Sequence, residues 1–264
     1  MHHFRRGHGR PLLLVHGLGS DGQSWSPILA QLAREREVIA IDLPGHGRTP
    51  PLPEGNGIAT YADALERFIS DEGLEGVDLV GSSVGGRLVL ELARRGTGGA
   101  VVALAPGGFW DDRGARYLGV TLGASIRLLR ALRPALGLLA RNPVSRTLLL
   151  AQLTPRPWAV DPDVARHEME SFADTPVFKE VLRDLVHGPR QAGIPPGDRS
   201  EPITMVWGRR DRVTLPKQAE RAAQCFADAR IEWLARCGHF PHWDRPDATV
   251  RLILETTAPS TPAG

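Results

Sequence analysis

Along this chain, short and largely apolar runs at residues 11–15, 38–41, 77–80, 100–105 and 203–207 alternate with longer stretches in which apolar residues recur every three or four positions. A run without regular polar alternation suits a strand covered on both faces, as in the interior of a parallel sheet. The intervening stretches read as helices. Trp25, Ile28, Leu29 and Leu32 share one helical face, as do Tyr61, Leu65, Phe68 and Ile69, and again Leu88, Val89 and Leu92. Beyond residue 207 the pattern continues as a helix over 215–226, a strand over 230–234 and a helix over about 247–256, before a Pro/Thr/Ala tail expected to fray. Strands alternating with helices predict an α/β fold, a doubly wound and mostly parallel sheet that carries its ligands at the carboxyl ends of the strands.

The alternation stops between about Phe109 and Arg199, where helical patterns are broken by Pro134, Pro143, Pro155, Pro157, Pro162 and Pro176. This predicts a helical insertion over residues 109–199, flanked by the two parts of the core, 1–108 and 200–264. From Arg113 to Arg146 it holds seven arginines and no acid, interleaved with Leu128, Leu129, Leu132, Leu136 and Leu139. Such a stretch packs its leucines on the domain below and leaves its arginines solvated, or else meets a membrane surface or an anionic ligand.

Val77–Arg95 turns from strand to helix within a few residues, and Ser83 sits on the corner with Gly81 two residues before it and Gly85 two after. In a Gly-x-Ser-x-Gly strand-to-helix turn, a strained backbone pushes one hydroxyl out of the sheet, and the flanking residues come too close to their neighbours to carry side chains. Centring the motif on Ser82 would require glycine where Val80 and Val84 stand, so Ser83 is the candidate nucleophile. A plain helix N-cap is the competing reading of the pentapeptide alone.

With 42% hydrophobic residues in 264, the chain can bury one substantial core, and a net charge of +2 gives no global basic surface for nucleic acid. Only Lys179 and Lys217 are lysines. The first residues lack the apolar run of a signal peptide, and no stretch approaches the roughly 18 apolar residues of a membrane span, so a cytoplasmic protein without stable membrane association is expected. Cys225 and Cys237, with no Cys-x-x-Cys pair, indicate neither a disulfide framework nor a zinc site. His2, His3 and His8 have no carboxylate cluster beside them and are expected in a disordered end; no metal or cofactor is implied.

Ser83, Asp211 and His239 each lie just past the carboxyl end of a predicted parallel strand, so the sheet would gather them at one edge. Serine needs a base within hydrogen-bond reach, and the base needs a carboxylate to fix its tautomer. The order Ser, Asp, His is that of the α/β-hydrolases. The chain resembles that superfamily over nearly its whole length: in His16-Gly17-Leu18-Gly19, in Asp42-Leu43-Pro44-Gly45-His46-Gly47, in Gly81-Ser82-Ser83-Val84-Gly85, in Trp207-Gly208-Arg209-Arg210-Asp211 and in Gly238-His239-Phe240-Pro241-His242.

The resemblance implies that Ser83 attacks, that His239 is general base and then acid, that Asp211 orients His239, and that the backbone N–H groups of Leu18 and Val84 form the oxyanion hole. It makes the insertion the family's lid or cap, and gives His16, Asp42, His46 and His242 structural roles in the loops around the site. Two departures stand out. About ten residues precede the first confident strand, so one or both of the family's amino-terminal antiparallel strands must be missing or very short. Some relatives take the acid from the strand ending here near Ala105, which brings Asp111 and Asp112 into competition with Asp211.

The expected activity is a cofactor-independent serine hydrolase acting on an ester or activated carbonyl of a small-molecule, largely apolar substrate. Carbon–carbon bond hydrolysis, lactone opening and perhydrolysis fit the same triad; a non-catalytic ligand receptor and a membrane-surface lipase are the other readings. Phe109, Trp110, Trp158, Phe172 and Phe178 are expected to face the pocket over Ser83, with no acid or base in its floor, unless an arginine from 113–146 turns inward to bind a substrate carboxylate.

Overall fold

In the computed structural model, which describes residues 1–259, seven strands form a sheet in the order β1-β3-β2-β4-β5-β6-β7. These are β1 His3–Arg6, β2 Pro11–Val15, β3 Glu37–Ile41, β4 Asp78–Ser82, β5 Val101–Leu104, β6 Ile203–Gly208 and β7 Arg230–Leu234. β1 is antiparallel to β3; all other neighbours are parallel. The doubly wound, mostly parallel sheet expected from the apolar runs is the fold observed. The expected fraying of the tail concerns in part residues 260–264, which lie outside the described residues.

Helices cover both faces. They are α1 Ser26–Leu32, α2 Ile58–Asp71, α3 Val84–Arg94, α4 Asp112–Ala131, α5 Leu136–Arg141, α6 Pro143–Leu150, α7 Pro162–Asp174, α8 Phe178–His187, α9 Gln218–Cys225, α10 Pro241–Asp244 and α11 Pro246–Thr256. Successive side chains of a strand point to opposite faces. Leu13, Val15, Ile39, Ile41 and Leu79 therefore join a core with α2 and α3, while Leu12, Leu14, Val38, Ala40 and Val80 join a second one with α1 and α11. Burial on both faces is why these strands show no polar alternation.

The amino terminus departs from expectation. His2 and His3 are not in a disordered end: residues 3–6 form β1, paired with Val38–Ile41, and the His2 amide donates to Thr49 Oγ1 at 2.9 Å. One short antiparallel strand thus precedes β2. The helix expected over 215–226 begins only at Gln218, because Leu215-Pro216-Lys217 forms a turn in which the Gln218 amide reaches the Leu215 carbonyl.

Between β5 and β6 the regular structure is helical, α4 to α8, followed by an irregular stretch over 188–202 that carries an isolated bridge from Ile194 to Phe226. α4 buries Leu118, Leu122, Ile126 and Leu129 along one stripe and leaves Arg113, Arg116 and Arg127 exposed. Arg130 and Arg146 are tied to backbone carbonyls, Arg130 to those of Ala173 and Thr175 and Arg146 to those of Ala140 and Trp158. Among the described residues no helix is long and apolar enough to cross a membrane.

Candidate active site

β4 passes into α3 through a single residue. Ser83 has φ 56° and ψ −110°, a left-handed conformation that costs a residue with a side chain about 1–3 kcal/mol and persists only where its surroundings impose it. The turn is held on both sides: the Ser83 amide donates to the Leu104 carbonyl at 2.9 Å, and the Ser83 carbonyl accepts from the Gly107 amide at 3.1 Å. A Cβ on Gly81 would lie 2.1 Å from the Gly85 carbonyl oxygen, and one on Gly85 would lie 2.0 Å from that of Val15. Both glycines are thus required by close backbone approach. Ser82 is buried, with no partner for its hydroxyl among the described residues, whereas Ser83 is partly open. A Cβ on Gly17 would sit 3.8 Å from Ser83 Oγ, so the loop carrying Gly17 and Leu18 runs directly past that hydroxyl. The N–H groups of Leu18 and Val84 donate to no acceptor among the described residues.

Asp211 follows β6 and His239 follows β7, and the two meet at the same edge of the sheet. His239 Nδ1 donates to Asp211 Oδ2 at 3.0 Å, with both side chains almost wholly buried. The Asp211 carboxylate is itself fixed: Oδ1 accepts from the amides of Val213 (2.8 Å) and Thr214 (3.0 Å), and Oδ2 from Thr214 Oγ1 (2.8 Å). With every proton around it donated inward, Asp211 serves as an acceptor for Nδ1–H, which leaves Nε2 as the basic nitrogen of His239. Asp111 and Asp112 stand elsewhere. Asp111 caps α4 by accepting from the Gly114 amide, and Asp112 is exposed and paired with Arg190.

The surrounding loops are locked by neutral histidines and buried carboxylates. His16 donates from Nδ1 to the Gly17 carbonyl (2.7 Å) and accepts at Nε2 from the Leu43 amide (2.9 Å), joining the Gly17 loop to the one after β3. Loss of hydration on burial lowers its pKa, and lowers those of His46 and His242 to about 3, with a neighbouring imidazole adding to the effect for both. Asp42 accepts from the amides of Gly22 and Arg48 and from His2 Nδ1. Asp244, which sequence reasoning missed, holds the His239 loop by accepting from the Gly238 amide (2.7 Å) and from Thr154 Oγ1. The His239 amide donates to the Leu153 carbonyl at 2.7 Å, so the loop is tied to the helical segment as well. Thr214 was missed too; its signal was only its place three residues after Asp211.

Of the aromatic residues expected over the site, Phe172 and Phe178 meet with ring centroids 5.5 Å apart and planes tilted by 52°, and lie against Gly19, and Trp110 lies beside Gly107 at the serine turn. Phe109 instead packs edge-on against Trp207 and Phe226 in the core, and Trp158 is 55% exposed. An acid does stand nearby, contrary to expectation. Glu168 of α7 is buried and takes a hydrogen bond from Ser20 Oγ, three residues beyond Gly17. It interrupts the buried stripe of Ala165, Met169 and Phe172, and that interruption was legible in the sequence.

A family model described as "Alpha/beta hydrolase family" matches residues 12–252. The 2-hydroxy-6-oxo-2,4-heptadienoate hydrolase of Pseudomonas putida is 27% identical, over 96% of this chain and 90% of its own. The pimeloyl-[acyl-carrier protein] methyl ester esterase of Methylococcus capsulatus is 28% identical, over 96% of this chain and 97% of its own. A thermophilic esterase from Thermogutta terrifontis shares the fold, with a TM-score of 0.76 at 21% identity over 96% of this chain and 91% of that one.

Proposed function

The chain belongs to the α/β hydrolase family, and we propose that it is a serine hydrolase that cleaves an ester or similarly activated carbonyl through an acyl-enzyme on Ser83. The observation that carries this reading is the 3.0 Å contact from His239 Nδ1 to Asp211 Oδ2 at the sheet edge that also presents Ser83 on a strained turn. His239 Nε2 takes the Ser83 proton as Oγ attacks the carbonyl carbon, and Asp211 stabilises the imidazolium that results. The oxyanion of the tetrahedral intermediate falls to the N–H groups of Leu18 and Val84. Collapse expels the alcohol, protonated by His239. A water then gives its proton to His239, attacks the acyl carbon and releases the acid, returning the proton to Ser83.

Residues 109–199 act as the lid, placing Phe172 and Phe178 against Gly19 in the loop after β2 and giving the pocket an apolar wall while leaving access for the hydrolytic water. Likeness to the Pseudomonas putida hydrolase supports a second reading, cleavage of a carbon–carbon bond on the same residues.

Turnover of a series of aryl esters from acetyl to octanoyl, beside a vinylogous diketone, tests the reading. kcat/KM should rise with acyl length until the pocket is full, each buried methylene adding up to about 0.8 kcal/mol, with Ser83→Ala inactive and Ser82→Ala close to the parent. A parent that turns over only the diketone would favour carbon–carbon cleavage. A dead Ser82→Ala beside a live Ser83→Ala would overturn the choice of nucleophile.

A further inference from the structure

Between β5 and β6, the helices α4, α6 and α7 and the turn after α6 line a small, partly open cavity with about 30 Å³ of free space. Leu122, Leu129, Leu153 and Phe172 make its wall largely apolar, and Glu168 is the ionisable side chain within it. The cavity meets the candidate active site at three points. The Leu153 carbonyl accepts the His239 amide, the Phe172 ring lies against Gly19, and the Glu168 carboxyl takes the Ser20 hydroxyl, whose own amide donates to the Gly17 carbonyl at 3.2 Å.

Glu168 is only 1% exposed, and its Oε2 has no partner among the described residues. A buried polar atom left unsatisfied costs about 1–3 kcal/mol, and a leucine or methionine here would simply have continued the stripe of Ala165, Met169 and Phe172. An unpartnered atom on a side chain that lines a cavity is available to a small group entering that cavity. The free volume suits one small terminal group, since about 10–15 Å³ already holds a water.

Resting on the reading of Ser83 as the acylated nucleophile, we propose that this cavity is a specificity subsite in which Glu168 Oε2 forms a hydrogen bond with a hydroxyl at the far end of an otherwise apolar acyl or alkyl chain. Burial pushes the Glu168 carboxyl up to about 7, the Ser20 hydrogen bond opposing this and the nearby Asp21 adding to it. A carboxyl so reluctant to ionise suits an uncharged hydroxyl better than an ammonium, and it disfavours a substrate carboxylate. Among the described residues none of the arginines from Arg113 to Arg146 lines the cavity, so the arginine-bound carboxylate considered from sequence has no place in it.

Two matched substrate pairs test this: p-nitrophenyl hexanoate against its ω-hydroxy analogue, and hexyl acetate against ω-hydroxyhexyl acetate. Each is measured with the parent, Glu168→Gln and Glu168→Leu, alongside the rate of fluorophosphonate labelling. In at least one pair the parent should prefer the hydroxylated member by roughly tenfold in kcat/KM, the scale of one hydrogen bond to a buried group. Glu168→Leu should abolish or reverse that preference and Glu168→Gln should retain part of it, the ratio within each pair being compared between proteins so that any change in the overall labelling rate cancels. Equal ratios in all three proteins, with labelling intact, would overturn the subsite and leave Oε2 to a buried water. A parent that neither labels nor turns over any ester would overturn the serine-hydrolase reading itself.

Discussion

Lowering the pH from 7 to 5 sets buried histidines of this protein against a buried carboxyl. His46 and His242 are fully buried, and loss of hydration holds both near a pKa of about 3 against 6.5 when free. The folded value lies below the unfolded one, so each histidine's contribution to stability is complete above pH 6.5 and is lost as the pH falls. At 1.36 kcal/mol per unit, roughly 2 kcal/mol is gone from each by pH 5. Glu168 runs the other way. Its folded value of about 7 lies above its ordinary 4.5, so its contribution is complete below pH 4.5 and lost as the pH rises through 7; descending to pH 5 returns roughly 2 kcal/mol. His16, also lowered by burial, adds a loss common to every variant. His242→Phe keeps an aromatic ring against Trp25 and Phe240. It should lose about 2 kcal/mol less than the parent between pH 7 and 5, and Glu168→Gln about 2 kcal/mol more. Urea unfolding followed by tryptophan fluorescence at both pH values reads the difference. A His242→Phe protein whose stability responds to pH just as the parent's does would refute the neutral buried imidazole; the same result for Glu168→Gln would refute the raised carboxyl.

Asp211→Asn should remove the acceptor that fixes the His239 tautomer and depress turnover by orders of magnitude, up to about 10⁴-fold, whereas Asp111→Asn and Asp112→Asn should stay within a fewfold of the parent; steady-state rates on one aryl ester decide between them. Gly85→Ala places a methyl 2.0 Å from the Val15 carbonyl oxygen and 2.5 Å from that of His16, and should yield little folded protein. Gly73→Ala, at φ +62° with nothing among the described residues within 4 Å of the added carbon, should cost only about 1 kcal/mol. Thermal melts of the two test whether close approach, rather than backbone freedom alone, fixes glycine at the serine turn.

The parallel strands and the serine turn were legible because each imposes a local signature. Burial on both faces erases polar alternation, and the tight turn admits only glycine at positions 81 and 85. β1 was not legible: His3-Phe4-Arg5-Arg6 is mostly polar, and it becomes a strand only through pairing with Val38–Ile41. The short helix Pro241–Asp244, which places Asp244 under the Gly238 amide, was missed because four residues carry no period. Aromatic content alone could not tell Phe172, over the Gly17 loop, from Phe109, in the core beside Trp207, since both are buried and only tertiary contacts separate them. Glu168 did leave a trace, a lone acid on an apolar helical stripe, but its closeness to Ser20 depends on how α7 docks on the loop after β2.

Acylation of Ser83 in turnover is the step on which the proposed function rests. Incubating the parent, Ser83→Ala and Ser82→Ala with a fluorophosphonate probe and mapping the adduct by peptide mass spectrometry tests it directly. One adduct is expected, on Ser83, in the parent and in Ser82→Ala and none in Ser83→Ala; an adduct on Ser82, or undiminished labelling of Ser83→Ala, would rule out Ser83 as the nucleophile.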